Sequence, residues 1–137
     1  MNRHIERLLK RKVAFVGSEF KGKPYIKAML VSEREGGNVF YFDTNHSTAR
    51  VAQWRENPNA CVYFSKNSLP VYRGVMLNGT IELTDDAERK KRHWNIFSKI
   101  YYPNGVTDPD YCIAKFTAQS GRYYAGLKSE DVDFTCM

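Results

Sequence analysis

Residues 25–58 carry the pattern that decides the fold: YIKAMLVSEREGGNVFYFDTNHSTARVAQWRENP. Two runs rich in β-branched and aromatic residues, 25–32 and 39–42, lie on either side of the polar turn 33–37. Such runs separated by a Gly-containing turn are typical of neighbouring antiparallel strands. The first half of this stretch therefore predicts a strand–turn–strand unit.

The character of the sequence changes after residue 42. The segment 43–48, DTNHST, is rich in turn residues and supplies several side chains that can cap a helix N-terminus. Residues 49–56 follow with Val51 and Trp54 at helical spacing, and Asn57-Pro58 ends the pattern because a residue before proline disfavours helix. A helix therefore follows the strand pair directly.

The start of this helix has the residue types that a phosphate group needs. Backbone N–H groups at a helix N-terminus, small hydroxyls and a cation together bind phosphate oxygens. Ser47, Thr48 and Arg50 supply all three, and Lys27 on the neighbouring strand adds a second cation. The alternative interpretation is an ordinary capped helix whose Arg50 is solvated.

Outward from this segment, the sequence predicts more strands and a few helices. The expected elements are a helix at 3–11, strands at 13–20, 60–64, 71–83 and 111–117 with 121–125 continuing the last, and one helix from about 84 to 100. Six antiparallel strands with helices at the connections predict an α+β, mainly β fold, a barrel with peripheral helices. The length of 137 residues suits a single domain, 1–137.

The composition limits the classes of partner that we expect for this chain. The net charge of +6 favours an anionic ligand, which leaves nucleic acid, a membrane surface and a phosphorylated small molecule open. No RNA-recognition motif is present, so no nucleic-acid partner is expected. No apolar run approaches the roughly 20 residues of a membrane-spanning helix, so no membrane partner is expected.

The cysteines and histidines predict no metal site. Cys61, Cys112 and Cys136 form no CxxC pair and have no metal-ligand spacing with the three histidines. An odd count of cysteines favours a reducing, cytoplasmic location. Cys61 and Cys112 are expected in the core, and His93 is interpreted as a polar–apolar boundary residue on a helix.

The order of motifs in 25–58 resembles the pyridoxamine-phosphate-oxidase-like family, and its general stress protein branch in particular. The matching motifs are Ile26-Lys27-Ala28-Met29-Leu30, Thr44-Asn45, Ser47-Thr48-Ala49-Arg50 and Arg55-Glu56-Asn57-Pro58, in that order. The resemblance covers about residues 8–125. It implies a six-stranded antiparallel split barrel that binds flavin mononucleotide (FMN) and forms a homodimer with the flavin in a cleft at the subunit interface.

The resemblance also implies roles for individual residues. Lys27 would contact the flavin phosphate or ring edge, and the backbone of Ala28, Met29 and Leu30 would lie along the isoalloxazine ring. The other implied positions are Asp43 and Thr44 beside the ring and ribityl chain, Ser47, Thr48 and Arg50 at the phosphate turn, and Gly74 contributed by the partner subunit.

The departures from the family pattern bear on the substrate. Ala49 and Ser32 stand where the authentic oxidase has basic residues, and 90–96 lacks its substrate-binding Tyr and Arg. The expected function is therefore a flavin-dependent oxidoreductase for a small molecule other than pyridoxamine phosphate. A non-catalytic flavin-binding or stress-related protein, and a reductase that uses the deazaflavin F420, remain alternatives.

Overall fold

Seven strands and four helices make up residues 2–134, the part of the chain that the computed structural model describes. In chain order they are α1 (Arg3–Leu9), β1 (Val13–Phe20), β2 (Lys23–Glu35), β3 (Val39–Asn45), α2 (Ala49–Glu56), β4 (Asn59–Lys66), β5 (Arg73–Thr84), α3 (Ala87–His93), α4 (Ser98–Tyr101), β6 (Tyr111–Ala125) and β7 (Lys128–Val132).

The strands form one antiparallel sheet that closes on itself. Its order is β3-β2-β1-β4-β5-β6-β7, and a further pairing of β3 with β6 closes β1–β6 into a ring. This confirms the six-stranded antiparallel barrel. The seventh strand, β7, pairs with the outer part of β6 and was not predicted, because its sequence, KSEDV, is too polar to indicate a strand.

The barrel interior is filled by alternate residues of each strand. The buried side chains that fill it include Ala14, Val16, Phe40, Phe42, Val62, Phe64, Val75, Leu77, Ala114 and Phe116. Helix α1 adds Ile5, Leu8 and Leu9 to the same core. Each large apolar side chain buried in this way contributes about 1.5–3 kcal/mol relative to an exposed position.

The prediction of one long helix from about 84 to 100 is wrong in the middle of that range. Helix α3 ends at His93, and Trp94 adopts extended backbone while its ring packs against Tyr102 and Tyr111 at centroid distances of 6.1 Å. The side chain of Asn95 accepts a hydrogen bond from the N–H of Phe97, which replaces helical bonding there. Packing of Trp94 thus overrides the helical pattern.

The cysteines divide between core and surface. Cys112 is fully buried, as expected, and burial raises the pKa of its thiol to about 12. The expectation that Cys61 is a core residue is wrong: its side chain lies on the outer face of β4 and is half-buried. It fills the space left by Gly17 on β1, where a Cβ would lie 2.5 Å from Sγ of Cys61. Cys136 lies outside the described residues.

Residues 2–134 lack two further features. No helix there is long and apolar enough to cross a membrane. No group of three or more His, Cys, Asp or Glu side chains in that range could hold a metal ion.

Candidate functional site

The barrel is split between β2 and β3. These strands pair only from Val31↔Phe42 to Glu35↔Val39 within the described sheet. Residues 23–30 of β2 pair with β1, whereas 43–45 of β3 pair with β6. We call the gap between residues 27–30 and 43–45 the cleft; helix α2 begins directly beyond the end of β3.

The β2 wall of the cleft presents main-chain groups. The N–H of Val31 donates to the carbonyl of Lys12 at 2.8 Å, so Val31 directs its main chain towards β1. Because these directions alternate along an antiparallel strand, the N–H and C=O groups of Ala28 and Leu30 point away from β1, into the cleft. The cleft therefore has an open, hydrogen-bonding strand edge.

The β3 wall follows the same alternation. The N–H of His46 donates to the carbonyl of Asp110 at 2.8 Å, in register with the pairing of β3 and β6. The main chain of Thr44 therefore faces β6, and that of Asp43 faces the cleft. A planar ligand with donors and acceptors on its edge can satisfy groups on both walls.

Lys27 and Met29 show where the interior of the barrel opens. Directly opposite residues of paired strands share a face of the sheet. Met29 lies opposite Ala14, and both are buried in the core. Lys27 lies opposite the buried Val16 yet is exposed. The inner face of the sheet is therefore closed at Met29 and open at Lys27.

Two buried polar atoms near the cleft lack hydrogen-bond partners among the described residues: Oγ1 of Thr44 and Nε of Arg50. Burial lowers the pKa of the Arg50 guanidinium, and no carboxylate offsets that effect. A partly desolvated cation without a counter-ion is unfavourable by itself. Such unpartnered groups therefore mark a place where an anion would bind.

The residues of the turn before α2 are already engaged. Thr48 is the N-cap: its Oγ1 accepts from the N–H of Val51 at 3.3 Å and donates to the carbonyl of Asn45 at 3.0 Å. Ser47 donates its N–H and its hydroxyl to the carboxylate of Asp110, at 2.8 and 2.7 Å. These bonds lower the pKa of Asp110. Asp110 was missed as a site residue because it lies 63 residues away in the chain.

Comparison with known proteins places the chain in a family. The family model described as "Pyridoxamine 5'-phosphate oxidase like" matches residues 1–136. The chain belongs to this family. No curated protein matches it.

Several solved structures have the same fold. A Clostridium acetobutylicum protein related to general stress protein 26 of B. subtilis is 36% identical; the match covers 96% of this chain and 93% of that chain, with a TM-score of 0.84. General stress protein 26 from Bacillus anthracis is 18% identical, with 95% of each chain covered and a TM-score of 0.75. A protein from Mesorhizobium loti named as FAD-binding is 14% identical, covers 96% and 93% of the two chains and has a TM-score of 0.69. The last two likenesses show the fold alone.

In this pyridoxamine-phosphate-oxidase-like chain, the carboxylate of Asp43 points away from the cleft. Its Oδ1 lies 2.8 Å from Nδ1 of His93, and Nε2 of His93 lies 2.8 Å from Oε2 of Glu33. The predicted boundary role of His93 is wrong, since its side chain is only 2% exposed. Burial would lower the pKa of His93, but the hydrogen bonds to both carboxylates outweigh it and the pKa is raised.

Gly74 lies on β5, which does not border the cleft of its own barrel. Its absence of a side chain has a local reason: a Cβ there would lie 2.0 Å from Oη of Tyr63 on the neighbouring strand. The structure thus brings Lys27–Leu30, Asp43, Thr44 and Arg50 around one gap and leaves Gly74 outside it. A contact of Gly74 with a partner's flavin stays a prediction.

Proposed function

We propose that the cleft binds FMN and that the chain is a flavin-dependent oxidoreductase of the pyridoxamine-phosphate-oxidase-like family. The observation that carries this proposal is Arg50, a partly desolvated cation with an unpartnered Nε at the start of α2. A phosphate at this position would compensate the charge and also meet the positive end of the helix dipole. Lys27, exposed on the opposite wall, adds a second cation.

The flavin ring fits the remainder of the cleft. Its polar edge would bond to the main-chain groups of Ala28 and Leu30 on one wall and of Asp43 on the other. The free hydroxyl of Thr44 is available to the ribityl chain. The flavin would supply the electron transfer, while these residues hold and orient it and exclude water from one side.

Two arginines of helix α3 argue against a phosphorylated substrate such as pyridoxamine phosphate. Arg89 is paired with Glu33 at 2.9 Å and with Glu35 at 2.8 Å, and Arg92 with Glu33 at 3.0 Å. These cations are neutralised within the protein and would have to leave their carboxylates to hold a phosphate. We therefore propose a substrate without a phosphate group.

Flavin absorbance tests the phosphate site. The purified protein is expected to retain FMN through desalting, and Arg50→Ala is expected to raise the Kd for FMN about tenfold to thirtyfold, because a charge-assisted hydrogen bond contributes about 1.5–2 kcal/mol. Arg7→Ala is the control: it removes an exposed arginine from α1, on which none of the residues of the cleft lies. A protein that retains no added FMN, or equal weakening by the two variants, would exclude the proposal.

Turnover separates the enzyme from a flavin-storing protein. Bound FMN is to be reduced anaerobically, and its reoxidation followed by absorbance as candidate acceptors are added. Reoxidation by an organic acceptor at catalytic rates supports the oxidoreductase. A flavin that reacts with none of them supports the non-catalytic alternative.

The same proposal includes a homodimer built on the outer patch, which we define as Val13, Phe15, Ile26 and Leu30. These side chains are 40–69% exposed. Their register, Val13↔Leu30 and Phe15↔Ala28, places them on one face of β1 and β2, beside the cleft. A continuous apolar face of this kind is typical of a protein interface, and a second copy seated there would cover the outer side of the flavin.

Ile26→Glu tests the dimer. A carboxylate buried within the patch by a second copy would be desolvated without a partner, so the variant is expected to be monomeric at micromolar concentrations where the unmodified protein is a dimer. Light scattering coupled to gel filtration measures the mass. Ile96→Glu serves as control, since Ile96 is 86% exposed and lies outside the patch. A monomeric unmodified protein would refute the dimer.

A further inference from the structure

Asp110, the residue directly before β6, holds the turn that joins β3 to α2. Its carbonyl oxygen accepts from the N–H of His46 at 2.8 Å. Its carboxylate accepts from the N–H and the hydroxyl of Ser47, at 2.8 and 2.7 Å, and from Nδ2 of Asn45 at 3.1 Å. The consecutive residues 45–47 are thus all bonded to one residue. Hydrogen bonds to an ionised acceptor are stronger than those to a neutral one, so Asp110 fixes the main-chain path of the turn.

The carboxylate of Asp110 lies on the side of the turn that faces away from the cleft. Strand β3 has β2 on one side, across the cleft, and β6 on the other. Asp110 precedes Tyr111, which is paired with Asn45 at the start of β6. The N–H and the hydroxyl of Ser47 are therefore directed towards β6. A phosphate in the cleft could reach these two donors only by displacing Asp110.

Other donors at the start of α2 are left open. The N–H of Thr48 donates to the carbonyl of Asn45 at 3.1 Å, and the N–H of Val51 donates to Oγ1 of Thr48 at 3.3 Å. The N–H groups of Ala49 and Arg50, between these two, have no acceptor among residues 2–134. Main-chain donors of this kind bind phosphate oxygens. Their direction depends on the turn that precedes them.

The position of Asp110 is itself fixed by a packed loop. Its N–H donates to Oδ1 of Asp108 at 3.0 Å, and Asp108 is only 7% exposed. The carbonyl of Asp108 accepts from the N–H of Tyr111 at 3.0 Å, and the ring of Tyr111 stacks on that of Tyr102 at a centroid distance of 4.3 Å. The turn is therefore ordered before any ligand binds. A ligand that meets an ordered turn does not lose affinity to the entropy of ordering it.

We propose that Asp110 is a positioning residue for the phosphate site: it holds the turn 45–47 so that the N–H groups of Ala49 and Arg50 face the cleft. Ser47 is the point to which it is bonded and does not touch the phosphate. This role rests on the proposed function, since it requires a flavin phosphate at Arg50. By charge alone, a carboxylate near a phosphate weakens its binding. The gain from the preformed turn outweighs that repulsion.

A comparison of FMN with riboflavin, which has the same ring and ribityl chain but no phosphate, tests the role of Asp110. Flavin fluorescence is titrated with the protein after dialysis to remove bound flavin. Asp110→Ala is expected to raise the Kd for FMN about tenfold and that for riboflavin less than about twofold. Asp110→Asn keeps an acceptor oxygen for the N–H of Ser47, so the Kd for FMN is expected to rise only about threefold.

Asp85→Ala is the matched control. Asp85 is a second carboxylate bonded to the same turn, but it contacts the side chain of His46, at 2.9 Å, and not the main chain. Its removal takes away the same charge and leaves the path of the turn unchanged. The Kd for each flavin is expected to change less than about twofold.

The sign and the ligand dependence of the effect decide the proposal. A lower Kd for FMN in Asp110→Ala would show that the carboxylate competes with the phosphate, and equal weakening of both flavins would show that Asp110 only stabilises the fold. A larger effect of Ser47→Ala than of Asp110→Ala would place the Ser47 hydroxyl on the phosphate. Each of these results would overturn the proposal.

Amide NMR spectra with inorganic phosphate separate this proposal from the proposed function. If the unmodified protein binds no flavin, or binds FMN no better than riboflavin, the FMN proposal fails. Phosphate-induced shifts of the Ala49 and Arg50 amides that are lost in Asp110→Ala would still support the positioning role. The absence of such shifts in the unmodified protein, or their persistence in the variant, would refute it.

Discussion

Replacing Gly79 by alanine is expected to lower the free energy of unfolding by about 3 kcal/mol, at the upper end of overpacking effects. A Cβ at Gly79 would lie 2.0 Å from the carbonyl oxygen of Thr117, 2.8 Å from its carbonyl carbon and 3.0 Å from Cα of Ala118. All three are main-chain atoms of β6, where the register of β5 and β6 shifts next to Gly79. No side-chain rotation can relieve this contact, so the two strands must separate.

Gly74→Ala on the same strand is the matched control. Its Cβ would lie just as close to a neighbour, 2.0 Å from Oη and 2.4 Å from Cζ of Tyr63, but these atoms end a side chain that can rotate away. We expect a loss of about 1 kcal/mol. Equilibrium unfolding in urea measures both variants. Equal losses would show that the closeness of β5 and β6 at Gly79 is not a constraint on the fold.

The sequence predicted those elements whose cause is local. Strand β1 and helix α2 have the predicted bounds, because the strand-forming residue types in Val13–Phe20 and the Thr48 cap before Ala49 are properties of neighbouring residues. The break between α3 and α4 was not predictable in this way. It depends on Trp94 packing against Tyr111, a residue 17 positions later that reaches it only in the folded barrel.

The residues of the candidate site show the same difference between local and long-range causes. Lys27 and Arg50 were predicted from residue types within one segment, and Ala28, Met29 and Leu30 from the family resemblance; the fold brings them to one gap. The partners of the other residues came from far along the chain. The carboxylate of Asp110 accepts hydrogen bonds from the N–H and the hydroxyl of Ser47. The imidazole of His93 bonds to the carboxylate of Asp43, 50 residues away in the chain. Such pairs form because β3 and β6 close the ring and because α3 packs against it. No short sequence pattern predicts either contact.

The unfolding of His93→Gln is expected to depend on pH differently from that of the unmodified protein. The buried imidazole joins α3 to Asp43 on β3 and to Glu33 on β2. At pH 6, removing the charge should lower the free energy of unfolding by about 2 kcal/mol, less than for a fully buried pair because both carboxylates are about a quarter exposed. Glutamine keeps one hydrogen bond and cannot titrate.

The sign of the pH dependence follows from the raised pKa of His93. A group that binds its proton more tightly when folded stabilises the protein fully below its unfolded pKa, about 6.5, and loses this contribution as the pH rises through the folded pKa. As the pH rises above 6.5, the unmodified protein should therefore lose stability relative to His93→Gln. Chemical denaturation at several pH values gives both curves.

Arg92→Gln separates this titration from a simple loss of charge next to Glu33. Arg92 also pairs with Glu33, at 3.0 Å, but a guanidinium keeps its proton throughout the range. Its loss should lower the free energy of unfolding by well under 1 kcal/mol, because the pair is exposed. This loss should be equal at every pH. Parallel pH curves for His93→Gln and the unmodified protein would mean that His93 has the same pKa in the folded and the unfolded protein. In that case the carboxylates of Asp43 and Glu33 would not favour the protonated imidazole, and the link between α3 and the wall of the cleft would not depend on the charge of His93.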